Sequence, residues 1–284
     1  MIDFPNMITI PLADWIDSIM SWLLMNLDGF FDAVGFIILQ VVLGFEKLFL
    51  FVPWFIWIPL VGFAGWKLMK SWKSGLGFMI MLFLIGSFGY WEMSMMTISL
   101  VIASVFFALL IGLPLGIVMA RSDRAESIFK PILDGMQTMP SFVYLIPALM
   151  FFGMGKVPAL FATIIYAVPP VIRLTNVGIR TVEKEAVEAS LAFGATPKQI
   201  LFDVQLPLAK PAIMVGINQT TMMALAMVVI GSMIGARGLG MEVLLAINRI
   251  EVGQGFEAGI SIVFLAIIVD RLTFSLSEKG KKLQ

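Results

Sequence analysis

Four consecutive polar side chains, Asn218, Gln219, Thr220 and Thr221, interrupt an apolar segment in the last third of the chain. Uncharged hydrogen-bonding groups in such a segment are usually kept away from lipid, so they are candidates for lining a path for a solute. Hydrogen bonding between helices explains the same run equally well, and the sequence leaves both interpretations open. Three further side chains are weaker candidates for the path: Tyr144, Tyr166 and Glu257.

Catalysis is not indicated by the residue types. The chain contains no Cys and no His, which excludes thiolate and imidazole metal ligands, Cys or His nucleophiles and histidine general bases. No metal site is predicted.

Two glycine-rich segments do not have the spacing of a nucleotide site. "GMGKV" at 153–157 departs from the P-loop pattern, because Met150 stands where the first Gly belongs and Val157 where Ser or Thr belongs. "GARGLG" at 235–240 follows an apolar helix instead of a strand and predicts a tight turn. ATP hydrolysis by this chain through a P-loop is therefore not predicted.

The composition is that of an integral membrane protein. Of 284 residues, 60% are hydrophobic and 13% charged, and the mean hydropathy is +0.98. An ordinary soluble domain is about half apolar and about a quarter charged. The formal net charge is zero, so no overall basic field argues for nucleic acid. The first twenty residues carry no Lys or Arg, unlike a secretory signal peptide.

Seven segments are apolar over a length that approaches the ~20 residues needed to cross a bilayer. They are 49–66, 75–91, 94–119, 138–153, 157–173, 212–234 and 257–272. Pro140, Pro147, Pro158 and the pair Pro169 and Pro170 interrupt the fourth and fifth, which are expected to be interior helices. Gly112 and Gly116, and again Gly231 and Gly235, are spaced for close packing between helices.

Residues 12–46 have a different pattern, because acidic and aromatic residues alternate through them. We interpret this stretch as one or two amphipathic helices lying in the membrane interface. The alternative is that residues 30–45 form an eighth span.

The Lys and Arg residues predict the orientation, since they favour the cytoplasmic side. With seven spans, only Lys47, Lys156, Arg237 and Arg249 fall on one side, and the other fifteen of the nineteen fall on the opposite side. We therefore expect an extracytoplasmic N-terminus and a cytoplasmic C-terminus in the plasma membrane.

The most polar long run, residues 185–211, is predicted to form a helix, a turn and a second helix on the cytoplasmic side. Helix-favouring residues run from Thr181 to Ala192, and Gly194 suits the left-handed position that ends a helix. Thr196, Pro197 and Gln199 have the order of an N-cap, a first-turn proline and a capping box. Pro207 and Pro211 mark the return to the membrane. Such a pair forms a rigid knob below the bilayer.

This run resembles the EAA signature of ABC-importer permeases. The pattern Glu188-Ala189-Ser190, three residues, Gly194, nine residues, Val204-Gln205-Leu206-Pro207 departs from the signature only at Ser190 for Ala and Val204 for Ile. The resemblance implies that the segment is the coupling helix docking on a cytoplasmic ATPase. The implied coupling residues are Glu188, Ala189, Ser190, Ala192, Phe193, Gly194, Ala195, Thr196, Pro197, Leu206 and Pro207.

A wider resemblance, to glycine betaine/proline permeases, covers nearly the whole chain and rests on residues 133–180 and 205–240. It implies an all-α membrane protein with a five-helix ABC importer permease core (MetI-like), preceded by two extra transmembrane helices and an N-terminal amphipathic interfacial helix. The expected divisions are 1–48 (extracytoplasmic tail and interfacial helices), 49–91 (two additional spans), 92–273 (core, with the coupling insert 181–211) and 274–284 (basic cytoplasmic tail).

The same resemblance implies a function and partners. We expect the permease subunit of an ATP-driven importer for glycine betaine, proline betaine or proline, with choline or carnitine as the alternative and an ion-coupled secondary transporter as a more distant one. The expected partners are ABC ATPase subunits that bind the ATP and Mg, an extracytoplasmic binding protein, a second copy of this chain and the lipid bilayer, with no nucleic acid. No cofactor is expected in this chain.

Overall fold

Helices make up all the regular secondary structure of the described part of the chain. The computed structural model describes residues 11–281, with side-chain burial to residue 275. Twelve α-helices follow one another in that range. They are α1 Leu12–Phe51, α2 Trp54–Met69, α3 Trp72–Ser87, α4 Trp91–Arg121, α5 Asp123–Thr138, α6 Leu145–Phe152, α7 Lys156–Arg180, α8 Lys184–Ala192, α9 Pro197–Gln199, α10 Leu206–Ile230, α11 Leu239–Arg249 and α12 Val252–Lys281.

Five helical stretches in the described residues are long and apolar enough to cross a membrane. They are Leu12–Phe51, Trp91–Arg121, Lys156–Arg180, Pro197–Ile234 and Val252–Ser275. The predicted spans 94–119, 157–173, 212–234 and 257–272 lie within the last four of them. This confirms a multi-pass helical membrane protein.

The predicted span 138–153 is helical only over Ser141–Phe152, which is shorter than a membrane-spanning helix. Helix α5 ends at Thr138, and the chain bends by 110° into Ser141–Phe152, which begins with a short 3₁₀ turn at Ser141–Tyr144 before α6. The bend occurs where Pro140 follows Met139, whose backbone is extended at φ −69° and ψ 136°. A residue that precedes proline is disfavoured in the α conformation, so the helix stops there.

Helices α2 and α3 are shorter than the two additional spans that the sequence predicts. Each has 16 residues, about 24 Å of helix against about 30 Å of hydrocarbon. They pack closely, because a Cβ atom added at Gly75 would lie 2.5 Å from the Gly62 carbonyl oxygen. That both cross the membrane stays a prediction.

Helix α1 bears on the two interpretations of residues 12–46, interfacial helices or an additional span. Its only residue with non-helical backbone angles is Leu27, so residues 28–51 form one continuous length of helix. Phe36 and Ile37 are exposed on one side of this length, and Ile38 and Val42 are buried on another. A helix that is apolar on all sides belongs inside protein or lipid, whereas an interfacial helix needs one polar face. The structure therefore favours the alternative of an additional span over residues 30–45. Residues 1–10 lie outside the described part of the chain.

Helices α4, α7 and α10 form the centre of the core. A Cβ atom at Gly112 would lie 2.5 Å from Val171, and one at Gly116 would lie 2.6 Å from Thr175. The G-x-x-x-G spacing therefore brings α4 close to α7, as predicted. Helix α7 also packs closely on α10, because a Cβ atom at Gly178 would lie 2.8 Å from Ala212.

Candidate functional site

The polar insert after α7 folds as a helix and a tight turn, as the sequence predicts. Helix α8 starts at Lys184, three residues later than predicted, with Glu183 as its N-cap. Gly194 has φ +80°, the left-handed conformation that only glycine adopts freely. The Ala195 N–H donates to the Ser190 carbonyl over 3.0 Å, and the Phe193 N–H donates to the Ala189 carbonyl over 3.1 Å. The turn is therefore fixed by backbone hydrogen bonds.

The chain leaves the turn through the predicted capping box. The Gln199 N–H donates to Thr196 Oγ1 over 3.4 Å, and the Thr196 N–H donates to Gln199 Oε1 over 2.8 Å. Pro197 follows as the first helical residue. The N–H groups of Thr196 and Gln199, which have no partner inside the helix, are therefore both hydrogen-bonded.

The second helix is not separate from the following span, which corrects the prediction. After α9 the chain forms a π-helical segment, Ile200–Gln205, that continues directly into α10. Pro207 has no N–H to donate to the carbonyl four residues earlier, and a π turn is one way in which a helix accommodates such a gap. The prolines modify the helix here without ending it.

The implied coupling residues divide into an exposed tip and an anchored base. Phe193 is 93% exposed at the end of the turn, an unusual position for a large apolar side chain. The other exposed members are Glu188, Ala189, Ala192, Gly194, Thr196, Pro197 and Pro207. Ser190 and Ala195 are half-buried, and half-buried Leu206 packs on the cluster of Ile179, Leu201 and Ala209.

A cleft of about 570 Å³ separates α8 from the C-terminal ends of α4 and α7. Its charged lining residues are Arg121, Arg180, Lys184 and Glu188. Arg180, the last residue of α7, is the one that connects the neighbouring helices.

The Arg180 guanidinium bonds to groups on three helices. Nη1 donates to Asp123 over 2.8 Å and Nε donates to Asn176 over 3.1 Å. Nη2 donates to the Met119 carbonyl over 2.9 Å and lies 3.2 Å from Glu126. The sequence analysis used Arg180 only as a cytoplasmic charge and missed this role. Its position in the last turn before the insert was the available signal.

The side chains of the four polar residues in α10 lie in different environments. Asn218 donates from Nδ2 to Asp270 of α12 over 3.2 Å and accepts a hydrogen bond from Thr273. Gln219 is exposed, and Thr220 is fully buried. For Asn218 the structure thus favours hydrogen bonding between helices, one of the two open interpretations, over a position in the path.

Thr221 lies on the groove between α4, α10 and α12. Its hydroxyl donates to the Ile217 carbonyl over 2.8 Å, and the residue lines an apolar groove of about 260 Å³. The other two predicted path residues, Tyr144 and Tyr166, meet with ring centroids 6.0 Å apart. The Tyr144 hydroxyl donates to the Met136 carbonyl of α5. Their role in a path stays a prediction.

The end of α7 opposite the insert is built from two glycine turns. Gly235 and Gly238 have φ of +91° and +151°, which confirms the tight turn predicted for "GARGLG". The Gly155 N–H donates to the Ile234 carbonyl over 2.9 Å, so the α6–α7 and α10–α11 connections meet.

Tyr90 lies near this end, in the connection before α4. Burial raises the pKa of its phenol, and the charges of Glu242, Glu257 and Glu251 raise this pKa further. Glu257, a weaker path candidate, therefore lies at this end of the core, where its charge acts on Tyr90.

Known proteins share this sequence over almost its full length. It is 51% identical to the glycine betaine/carnitine transport permease protein GbuB of Listeria monocytogenes, over 98% of this chain and 99% of that protein. It is 46% identical to the glycine betaine/proline betaine permease ProW of Escherichia coli, over 96% of this chain and 77% of that protein. It is 43% identical to the glycine betaine permease OpuAB of Bacillus subtilis, over 96% of each.

The fold is similar to that of a solved transporter. The inward-facing MetNI methionine ABC transporter matches with a TM-score of 0.59 and 22% identity, over 65% of this chain and 92% of that chain. This confirms the ABC-importer permease fold for the core. Residues 112–279 match the family described as the binding-protein-dependent transport system inner membrane component. The match includes the insert with the EAA-like spacing, and the chain belongs to this family of ABC-importer permease subunits.

Proposed function

We propose that this chain is the membrane permease subunit of an ATP-driven importer for glycine betaine and related solutes such as proline betaine or proline. The observation that carries the proposal is the identity of 43–51% to permeases named for glycine betaine transport, over at least 96% of this chain. A relationship of that extent includes both ends of the core and the helices that precede it.

The energy comes from a separate ATPase that docks on the turn between α8 and α9. Phe193, 93% exposed, is the apolar anchor at the tip, and buried aromatic anchors carry much of the binding energy in protein interfaces. ATP and Mg are bound by that partner, because this chain has no P-loop spacing. The chain itself is a transport subunit and hydrolyses no ATP.

The two ends of α7 face opposite sides of the membrane. The insert end lies in the cytoplasm with most of the Lys and Arg residues, and the end with the Gly155 and Ile234 contact lies outside, where a binding protein delivers the solute. On this assignment the C-terminus is cytoplasmic. The N-terminus is extracytoplasmic with seven spans and cytoplasmic if residues 30–45 form an eighth span.

Two copies of the chain enclose the path. Closure of the ATPases pushes the two inserts together and shifts the population between inward-facing and outward-facing states, as ATP and loaded binding protein each favour one state. Glu188, Ala189 and Gly194 transmit that movement as part of the rigid turn.

Carnitine is the second candidate solute, because the relative with 51% identity is named for glycine betaine and carnitine. The test is ATP hydrolysis by the purified complex with its binding protein and one solute at a time: glycine betaine, proline betaine, proline, carnitine or choline. We expect glycine betaine to stimulate hydrolysis most. Stimulation by carnitine or choline alone would replace the proposed substrate, and no stimulation by any of them would reject the betaine assignment.

A further inference from the structure

The part of α1 that follows Leu27 packs on the core of the protein. Helix α1 itself lies outside the family match, which covers residues 112–279. Ile38 and Val42 are 7% and 1% exposed, and they belong to the same buried cluster as Leu100 of α4, Ala148 of α6 and Leu160 of α7. Three helices of the core thus contact α1. A helix with these contacts is part of the permease body.

Helix α6 depends on α1 for one of its sides. It has only eight residues and is followed by Gly153 and Gly155, both with positive φ. Phe31 of α1 stacks on Phe151 with ring centroids 4.2 Å apart, and a Cβ atom added at Gly35 would lie 3.3 Å from Phe152. Since a helix this short is marginal on its own, the aromatic contacts with α1 stabilise its position.

An ion pair fixes α1 to the start of α7. Glu46 pairs with Lys156, and the two side chains are only 12% and 19% exposed. Lys156 directly follows Gly155, whose N–H donates to the Ile234 carbonyl. The pair therefore holds the junction of the α6–α7 and α10–α11 connections, at the end of α7 opposite Arg180. Removing one partner of a buried pair leaves an uncompensated charge, which is strongly unfavourable.

We propose that α1 is a positioning element for the outer end of the permease and that Glu46 is its positioning residue, acting through Lys156. By holding Lys156, Glu46 keeps the Gly155 and Ile234 junction rigid, so that a binding protein arriving there changes the state of the whole core. Without the pair, the arriving binding protein shifts the junction only locally and no longer changes the state of the core. This inference rests on the proposed function, in which that end meets the binding protein.

The test uses charge reversal in the complete transporter in proteoliposomes. Glu46→Lys and Lys156→Glu are made singly and together, with Lys47→Glu as the control, since Lys47 is the exposed neighbour of Glu46. We expect each single variant to reduce the stimulation of ATP hydrolysis by loaded binding protein roughly tenfold, with basal hydrolysis unchanged. The double variant restores at least half of the stimulation, and Lys47→Glu retains it. Normal stimulation in both single variants, or no recovery in the double variant, would overturn the proposal.

A cross-link tests the same proposal if the charge variants fail to assemble. The natural chain has no Cys, so Phe31→Cys with Phe151→Cys is the only thiol pair, and Ile37→Cys with Phe151→Cys is the control because Ile37 is 59% exposed. We expect a short bifunctional maleimide reagent to cross-link the first pair alone, and the linked complex to keep its stimulated hydrolysis. No cross-link, or loss of stimulation once it forms, would contradict a fixed α1. Failure of the wild-type complex to import betaine would instead reject the proposed function, and the cross-link result would still stand.

Discussion

Arg180 donates from Nε to Asn176 Oδ1, one turn earlier on α7, over 3.1 Å, and Asn176 in turn donates to Glu126 of α5 over 3.0 Å. Asn176 is 4% exposed. The end of α7 is thereby fixed to the start of α5 by a closed set of hydrogen bonds, and only three residues separate it from α8. A force applied to α8 therefore reaches the core through these residues, in addition to the direct continuation of the insert into α10.

Replacing Arg180 is expected to uncouple ATP hydrolysis from transport. Arg180→Lys keeps the charge but cannot reproduce the planar set of donors that reaches Asp123, Asn176 and Met119. Hydrogen bonds that involve a charged group are each worth ~1.5–3 kcal/mol, so we expect the solute imported per ATP to fall about tenfold. Uptake and hydrolysis measured on the same proteoliposomes check this.

Arg121→Gln is the matched control for Arg180. Arg121 lines the same cleft, and within residues 11–281 no ion pair involves it. We expect this variant to retain normal coupling. Equal losses in Arg121→Gln and Arg180→Lys would show that any change of an arginine in this cleft disturbs coupling, and would contradict a specific role for the Arg180 contacts.

Gly194→Asp is expected to abolish hydrolysis stimulated by the binding protein while leaving the protein in the membrane. A side chain at φ +80° is strained, and it would project from the docking turn, because no atom lies within 4 Å of the added Cβ position. Gly89 is the control, since it has φ +83° and equally open surroundings in the connection between α3 and α4. Gly89→Asp introduces a similar backbone strain away from the docking turn. ATP hydrolysis in this variant should therefore still be stimulated by the binding protein. Stimulated hydrolysis at the wild-type level in Gly194→Asp would show that the turn is not the docking point.

Phe193→Ala is expected to weaken binding of the ATPase without changing the stability of the isolated permease. Truncating an aromatic anchor at the centre of an interface costs ~2 kcal/mol or more, which corresponds to about a thirtyfold loss of affinity. Phe51→Ala is the control, because Phe51 is 86% exposed at the far end of α1. Pull-down of the ATPase at several concentrations measures both. An unchanged affinity for Phe193→Ala would place the anchor elsewhere.

Asn218 and Gln219 are expected to differ in chemical accessibility, although they are adjacent. Asn218 is bonded to Asp270 and Thr273, whereas Gln219 is exposed. A Cys introduced at 219 should therefore react with a polar thiol reagent in at least one transport state, and a Cys at 218 should not. The reaction is followed with and without ATP. Rapid labelling at 218 together with protection at 219 would reverse the assignment of the two side chains.

The sequence predicts those features that depend on neighbouring residues. The Gly194 turn, the Thr196 and Gln199 capping box and the close approach at Gly112 and Gly116 follow from local spacing, and all three are present. The positions of four of the seven predicted spans also follow from apolar length alone.

Features that depend on distant pairs were not predictable from a single sequence. Arg180 meets Asp123 and Glu126 across more than fifty residues, and Asn218 meets Asp270 at a similar separation. In α1, the acidic residues predict an interfacial helix, and nothing in the local pattern shows that Glu46 has Lys156 as a partner. Only the tertiary packing supplies that neighbour.

Uptake of radiolabelled glycine betaine tests the central claim most directly. Proteoliposomes carry this chain, its ATPase and its binding protein, and ATP is supplied on the side of the ATPase. The account predicts betaine accumulation that requires ATP, the ATPase and the binding protein, and that persists when a protonophore removes the proton gradient. Uptake by this chain alone that needs no ATP and stops with the protonophore would contradict it and indicate an ion-coupled carrier.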